Sequence, residues 1–503
     1  MTAVQNYPFA LIMLFLASGV ICFVLSGRIA KWYCLVLCGV GTVMMAMTLR
    51  YVLAAGESYV YLMGHFPSPW GNELRIGPFE ALMAALFCAI ALFSIMGGME
   101  HILEDCEERK VNLYFASFCL LMSSMLALIF TNDLFTAYVF IEINTITACA
   151  LVMLNYRNGG ALIATTRYLI MSLLGSGLFL IAVILLYDLT GHLLMEPLGA
   201  AVETLRMTGG YLFPLTVIVG LLSVGLGIKS AIFPFHTWLP DAHANATSAS
   251  SALLSGLVLK AYVILLIKLI YRVMSMESHA VSFAADMLFV FGVLAMIIGS
   301  VLAMGEQDLK RMLAYSSVAQ VGYIYAGIGL GTTAGMIAAG TQIVTHAITK
   351  PMLFCAAGGF MGVSGGSRRI SDLRGAAWRD PLSGVAFFVG ALSMIGIPLF
   401  GGFATKLQLT LASIALPGWK AWLSIAAIVL STVLNAIYYL KTTAALYSKD
   451  GTSPYDELRV TYRTLYRALY VIAILAFIIL NIWQGIGSGT FTGIIREGLS
   501  LLG

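Results

Sequence analysis

Charge is scarce in this chain of 503 residues. Asp, Glu, Lys and Arg together make up 10% of it, against about 25% in an ordinary soluble domain. The eight cysteines (Cys22, Cys34, Cys38, Cys88, Cys106, Cys119, Cys149 and Cys355) form no CxxC pair and lie mostly inside apolar runs. That excludes a zinc ribbon or a thiol redox motif and reads them as small buried hydrophobes, Cys34 and Cys38 included. A phosphate-cradling loop is also missing. Gly329, Gly331 and Ala334 make a partial G-x-G-x-x-A, but it follows an apolar run rather than a strand and reads as a turn. No Lys or Arg precedes the first apolar run, whereas Arg28 and Lys31 follow it. A cleavable signal has the opposite order, so the first helix is expected to stay, with its N-terminus outside. The longest connections, near 55–76, 188–211 and 448–464, leave no room for a soluble domain. The net charge of +4 is too small to argue for nucleic acid or another anionic partner.

What is abundant is apolar surface. Hydrophobic residues reach 60% and the 50 glycines add to that; the comparable share in a soluble domain, glycine included, is about 45–50%. Mean hydropathy is +0.92. A soluble chain of this size cannot bury so much, which leaves an all-α polytopic membrane protein. Runs of about 20 apolar residues, the length a bilayer requires, lie near 8–26, 32–54, 77–98, 111–130, 134–154, 164–187, 212–235, 250–271, 283–304, 312–330, 334–360, 382–405, 420–447 and 465–485. That predicts about fourteen transmembrane helices. β-Barrel strands are excluded, being about half as long and alternating in polarity. With the N-terminus outside, the inner loops hold Arg28, Lys31, Arg109, Lys110, Arg157, Lys310, Arg311, Arg368, Arg369, Arg374, Arg379, Lys449, Arg459 and Arg463. The outer loops hold only Arg75, Arg206, Arg272, Lys420 and Arg496. This is the positive-inside bias, and an even number of spans puts the C-terminus outside too. The charged 99–110 stretch (MEHILEDCEERK) reads as a solvated connector.

The few charges inside the runs are the informative ones. Glu142, Lys229, Lys260, His346, Lys350 and Lys406 all fall within apolar spans. A lysine at mid-bilayer costs about 2.5–3.5 kcal/mol, so four left unpaired would cost on the order of 10 kcal/mol. They must pair, face the bundle interior or line a wet cavity. Lys268 and Lys441, near span ends, are expected to snorkel to the interface instead. Glu142 is expected to pair with a lysine from another helix. His346 and Lys350 are one turn apart on one helix face, with Thr341, Thr345 and Thr349 beside them. Such groups suit proton relay. Burial disfavours the charged form of an amine or carboxylate, a neighbouring opposite charge restores it, and histidine titrates near neutrality unaided.

Two spans are broken, one by Pro234 next to Lys229, the other by Gly396, Pro398, Gly401 and Gly402 before Lys406. Irregular backbone at membrane depth is tolerated where protein or a hydrated cavity receives it. The breaks fall in spans seven and twelve, each fourth in a group of five (spans 4–8 and 9–13). Matching interruptions of this kind point to two inverted five-helix repeats. The implied organisation is 1–110 for the first three helices, 111–271 and 272–447 for the repeats, and 448–503 for a C-terminal helix. His236, Asp241 and His243 in PFHTWLPDAH could be weighed as metal ligands, but they follow a broken helix and lack a fourth partner. No metal and no cofactor is expected in this chain.

The stretch Lys229–Lys260 (KSAIFPFHTWLPDAHANATSASSALLSGLVLK) resembles the antiporter-like subunits shared by Mrp-type cation/proton antiporters, complex I and membrane-bound energy-converting hydrogenases. DLFTAYVFIE at 133–142, DLKRMLAYSSVAQVGY at 308–323, THAITKPMLF at 345–354 and GIPLFGGFATK at 396–406 carry the same resemblance, which covers roughly 75–445. It implies fourteen helices with two inverted five-helix units. It implies a Glu142–Lys229 pair, Lys260 bridging inward, and His346 and Lys350 linking to Lys406, a position that is Glu in some members. The long lateral helix of one complex I subunit is not present. The shorter relatives are nearer, the Mrp D-type subunit and its hydrogenase counterparts among them. The expected function is therefore proton translocation, with cation/proton antiport as a variant, by a subunit of a multisubunit complex in a prokaryotic inner membrane. Neighbouring membrane subunits and the lipid bilayer would be its partners, protons and possible Na⁺ its cargo, and any redox centre would belong to other subunits. The alternatives are a self-contained secondary antiporter and an assembly scaffold whose buried charges only fix helix register.

Overall fold

The computed structural model describes residues 3–66, 71–155, 159–276, 278–448 and 464–502. Arg157, Lys449, Arg459 and Arg463 of the inner-loop set lie outside the described residues.

Every long apolar run is helical, as it must be where lipid offers no partner for backbone N–H and C=O groups. Helices α1 (Tyr7–Val24), α2 (Gly27–Ala55) and α3 (Pro78–Asp105) come first. Between α2 and α3 sits an antiparallel hairpin of β1 (Tyr59–Leu62) and β2 (Glu73–Ile76), registered Tyr59 opposite Ile76. Then follow α4 (Val111–Phe130), α5 (Leu134–Met153), α6 (Ala161–Thr190), α7 (Met195–Thr208) and α8 (Leu212–Lys229). Past a break come α9 (Trp238–Asn245) and α10 (Ser248–Leu253), a π-helical turn at Leu254–Val258, α11 (Leu259–Leu269), and a second π turn at Ile270–Met274. The second half holds α12 (His279–Gly305), α13 (Leu309–Gly329), α14 (Thr333–Gly362), the short α15 (Ala376–Arg379), α16 (Pro381–Ile395), α17 (Gly401–Ile414) and α18 (Trp419–Leu446). The chain closes with α19 (Thr464–Ile486) and α20 (Ser488–Ser500).

The fold is that of an all-α polytopic membrane protein. Among the described residues, eleven helices are long and apolar enough to cross a membrane. The other three expected spans differ for a physical reason. Helices α13 and α14 are long but carry Lys310, Arg311, Gln320, Gln342, His346 and Lys350, and the remaining span is divided into α16 and α17. The segment Ser248–Met274 is buried apart from Tyr271 and forms the axis of the bundle, packing on α3, α4, α8 and α14. Outward faces carry bare aliphatics and aromatics such as Ile163, Ile170, Trp422 and Val429, as a lipid-facing surface does.

Two elements replace expected loops, and a further short helix follows the last span. The β hairpin lies in 55–76. The amphipathic α7 lies in 188–211, with Glu196 in its first turn and Arg206 in its last, matching the helix dipole. Helix α20 packs on α3 and α14. The turn reading of Gly329–Ala334 agrees with the structure: it joins α13 to α14, with Gly331 at φ +68°.

Candidate functional site

The two breaks bring irregular backbone into the core. After Lys229 the chain leaves α8, with Ala231 at φ +58°. After Ile395 it leaves α16, with Gly396 at φ +91° and Leu399 at +87°. Non-glycine residues at positive φ are uncommon and cost energy that surrounding contacts must supply. At Gly402 a Cβ would lie 1.8 Å from the Ser393 carbonyl oxygen, so only glycine lets α17 approach the end of α16.

These breaks lie beside the two outer lysines. Lys229 is the last residue of α8. Lys406 belongs to α17, yet its Nζ reaches back to donate to the carbonyl of Ile395, the last residue of α16, at 2.7 Å. Lys406 therefore caps the C-terminal end of the first half-helix, where the helix dipole favours a cation, whereas Lys229 ends α8 but sends its ammonium across to α5. In sequence one lysine precedes its break and the other follows it, and their ammonium groups have different partners.

Lys229 is buried. Its Nζ donates to Thr145 Oγ1 of α5 at 2.5 Å and lies 5.7 Å from the centre of the Tyr262 ring. The Tyr262 hydroxyl donates to Asn144 Oδ1 at 2.7 Å, and Asn144 Nδ2 donates to Ser124 Oγ at 3.0 Å. Glu142 stands one turn before Thr145 and is half-buried. The implied Glu142–Lys229 ion pair is not formed. Thr145 takes the ammonium instead, and Glu142 acts on Lys229 through space without reaching ion-pair distance.

Lys260 and Lys350 are fully buried. Lys260 follows the first π turn, a distortion frequent at functional sites, and donates to the Ser255 carbonyl within that turn. Ser255 Oγ meets Ser317 Oγ of α13 at 2.8 Å, and Ser317 donates to the Leu313 carbonyl at 3.0 Å. Lys350 Nζ donates to that same carbonyl at 2.9 Å and to the Tyr439 hydroxyl of α18 at 3.3 Å. Tyr439 meets Ser316 at 2.8 Å, and Tyr438 donates to Ser316 at 2.9 Å and to Asn435 Oδ1 at 2.7 Å. Ser300 Oγ links Asn435 (3.1 Å) and Ser431 (3.0 Å). Next to Ser431, Thr432 Oγ1 accepts from Lys406 Nζ at 2.9 Å, and Lys406 also lies 5.3 Å from the centre of the Tyr323 ring. A line of polar contacts thus runs from Lys260 through Lys350 to the residues beside Lys406.

His346 is fully buried, and neither of its ring nitrogens has a protein partner. The same is true of His243 at the end of α9, which stacks on Phe354 of α14 at 4.9 Å. Buried polar atoms are normally satisfied by protein or by ordered water. Asp241 is not a metal ligand candidate here: it is bound by Arg167 at 2.5 Å and Arg311 at 2.8 Å. Among the described residues, the histidine–aspartate trio does not gather into a metal-binding group.

The structure corrects two readings. Besides the missing Glu142–Lys229 pair, Lys268 does not snorkel. It is fully buried and donates to the carbonyls of Ile129 and Thr131 at 2.7 Å each, capping the C-terminal end of α4. Lys441 is exposed, as an interfacial lysine should be. The threonine stripe is where α19 docks: Asn481 Nδ2 donates to Thr349 at 3.1 Å, and Gln484 Nε2 donates to Thr345. Sequence reasoning missed Asn144, Asn435, Asn481 and Gln484. Their signal was available, since each is a polar residue inside an apolar run.

Residues 131–435 match the model of the NADH:quinone oxidoreductase/Mrp antiporter transmembrane family. The chain belongs to this family. It is 34% identical to NADH-quinone oxidoreductase subunit N of Desulforudis audaxviator over 412 residues, covering 81% of this chain and 79% of that one. It is 27% identical to the D-type Na(+)/H(+) antiporter protein of Alkalihalophilus pseudofirmus, covering 74% and 73%. Among solved structures it superposes on a chain of the membrane-bound sulfane sulfur reductase, an archaeal respiratory membrane complex, with a TM-score of 0.88, 25% identity and coverage of 100% and 98%. A chain of the Mrp complex from Dietzia sp. shares the fold, with a TM-score of 0.86, 23% identity and coverage of 100% and 98%. The matched family region spans Lys229, Lys260, His346, Lys350 and Lys406, and also Glu142.

Proposed function

We propose that this chain is a proton-translocating subunit of a multisubunit membrane complex, moving protons between Glu142, Lys229, Lys260, His346, Lys350 and Lys406. The observation that carries the reading is the line of buried amines from four separate elements, hydrogen-bonded from Lys260 to the neighbours of Lys406. Relatives named as parts of an oxidoreductase, an antiporter and a respiratory complex support assembly with other membrane subunits.

In this reading the path has two characters. From Lys260 to Ser431 the polar groups are already in contact, but the main-chain carbonyls of Ser255 and Leu313 and the Asn435 Oδ1 only accept, so a proton passes these points only with water beside them. Around Glu142, Lys229, His243 and His346 the ring nitrogens and the carboxylate need water to complete the links. Moving a carboxylate toward or away from Lys229 changes which protonation state is favoured there, which is the step that would push a proton onward. The chain would have fourteen spans, with α13, α14 and the divided α16–α17 joining the eleven. It would comprise inverted repeats at 111–271 and 272–447, with 1–110 and 448–503 flanking them. It would lie in a prokaryotic inner membrane with both termini outside, hold no cofactor of its own, and leave any redox chemistry to partner subunits. Na⁺ is a second possible cargo, through backbone carbonyls at the helix breaks.

Lys229→Ala and Glu142→Ala in the assembled complex are each expected to lower coupled proton transport in sealed vesicles by about 100-fold, with complex yield preserved. Normal pumping in both variants overturns the proposal. Loss of complex yield with normal flux per complex would favour the scaffold. Full antiport by the isolated chain in liposomes would favour a self-contained transporter.

A further inference from the structure

Far from the lysine line, three cysteines from three helices meet. Cys22 on α1, Cys34 on α2 and Cys119 on α4 are all fully buried. Cys34 Sγ lies 3.3 Å from Cys119 Sγ and 3.7 Å from Cys22 Sγ, and all three sulfurs lie within 4.8 Å of one another. Packing alone explains a single buried cysteine as a small hydrophobe. It does not explain sulfur-to-sulfur convergence from three separate elements.

The spacing suits a thiophilic cation. Zn–S bonds are about 2.3 Å, so thiolates sharing one zinc sit about 3.8–4.0 Å apart. Two of the separations, 3.3 and 3.7 Å, fall a little short of that value and the third is no more than 4.8 Å, so small side-chain adjustments would bring the three sulfurs onto one ion. We propose that Cys22, Cys34 and Cys119 form a three-thiolate site for a single thiophilic divalent cation of the Zn(II) class, with a fourth position for water. In binding, three S–H bonds are replaced by three S–metal bonds and three protons leave to solvent. The resulting group carries one net negative charge. Lys31, one turn before Cys34 on the same helix, is buried and gives its ammonium to the Tyr466 hydroxyl at 2.6 Å.

The trio is fully buried but lies toward one set of helix ends. Cys22 is close to the end of α1, and Cys34 and Cys119 are about two turns from the starts of α2 and α4. At that end opens a cavity of about 1300 Å³, lined by Lys31, Glu100, Glu104, Glu108, Val111 and Tyr466 among others. Its lining mixes signs, with Arg28 and Lys31 beside the three carboxylates and Glu108 paired to Arg28.

The test uses the full chain purified with its membrane partners, reduced, stripped with a chelator, then loaded with Zn(II) and washed. About one zinc per chain is expected in the unaltered protein and in Cys88→Ser, a buried cysteine outside the trio. Retention is expected to fall by about tenfold or more in Cys34→Ser and in Cys119→Ser. Loading with Cd(II) should give thiolate-to-metal charge-transfer absorbance in the unaltered protein and in Cys88→Ser, absent from the other two. Zinc retention equal in all four proteins overturns the proposal, as does no retention in the unaltered one. A Cys34–Cys119 disulfide forming in place of metal uptake also overturns it. Because Cys34→Ser and Cys119→Ser lie outside the transport path, unfolding is monitored separately: added Zn(II) should raise the Tm of the unaltered protein and not of these variants.

Discussion

The two halves of the membrane core handle their buried amines differently. In the second half, Lys350 sits in an unbroken run of contacts through Tyr439, Ser316, Tyr438, Asn435, Ser300 and Ser431. In the first half, Lys229 meets Thr145 and the face of Tyr262, and the hydrogen bonds beyond stop at Ser124. The first half has the carboxylate, Glu142, and the second has none in its line. Between them stand His243 and His346 with four ring nitrogens lacking protein partners. The contrast teaches that one side is linked by protein groups, whereas on the other the ring nitrogens are left without protein partners, which in the proposed reading water and Glu142 would serve. A buried ammonium costs too much to leave unpartnered, and the fold meets that cost by two routes.

The largest test of this contrast is Lys350→Met, which empties the node from which the second-half line starts. Coupled transport by the complex in vesicles is expected to fall by about 100-fold, with chain abundance unchanged. A matched pair then sharpens the comparison. Asn435→Leu cuts the wired side and is expected to slow transport by about tenfold. Ser124→Ala, at the far end of the first-half contacts, is expected to change it by less than about twofold. Equal effects of the two would remove the distinction between the halves.

Next comes the backbone that makes the second half possible. Gly402→Ala would force a Cβ to within 1.8 Å of the Ser393 carbonyl oxygen. Part of α17 must then move away from α16, and Lys406 must lose its bond to Ile395. Thermal unfolding of the purified complex is expected to report a loss of about 3 kcal/mol, together with reduced transport. A substitution at Gly305, where a Cβ meets nothing within 4 Å, serves as the control and should do neither.

The unevenness also marks what the sequence could convey. Membrane spans were legible because hydropathy is a local property, and Lys229, Lys260 and Lys350 were legible because each is flanked by long apolar stretches. The partners were not. Tyr439 meets Lys350 across 89 residues of sequence and Lys229 meets Thr145 across 84, and no local pattern encodes such a meeting. The same limit explains the missing Glu142–Lys229 contact: periodicity puts Glu142 on α5 but does not say which way that helix is rotated. It also explains the cysteine trio, whose members are spread over three helices. Helix α7 escaped for a different reason. Its run is short and amphipathic, and a search for membrane-length apolar segments passes over it.

Lys268 offers the smallest expected effect and the sharpest control. It is as buried as Lys350, and both donate to main-chain carbonyls. The difference lies beyond the first contact. Lys350 continues to the Tyr439 hydroxyl, whereas the hydrogen bonds of Lys268 to Ile129 and Thr131 end at the backbone. Lys268→Met would lose two charge-assisted bonds and take that donor from two buried carbonyls, while removing the cost of burying an ammonium. These contributions oppose each other, so a net change in stability of about 1 kcal/mol is expected, with transport unaltered. If Lys268→Met instead stops transport as Lys350→Met does, burial rather than connection defines the relay, and the line of hydroxyls through α13 and α18 is only packing.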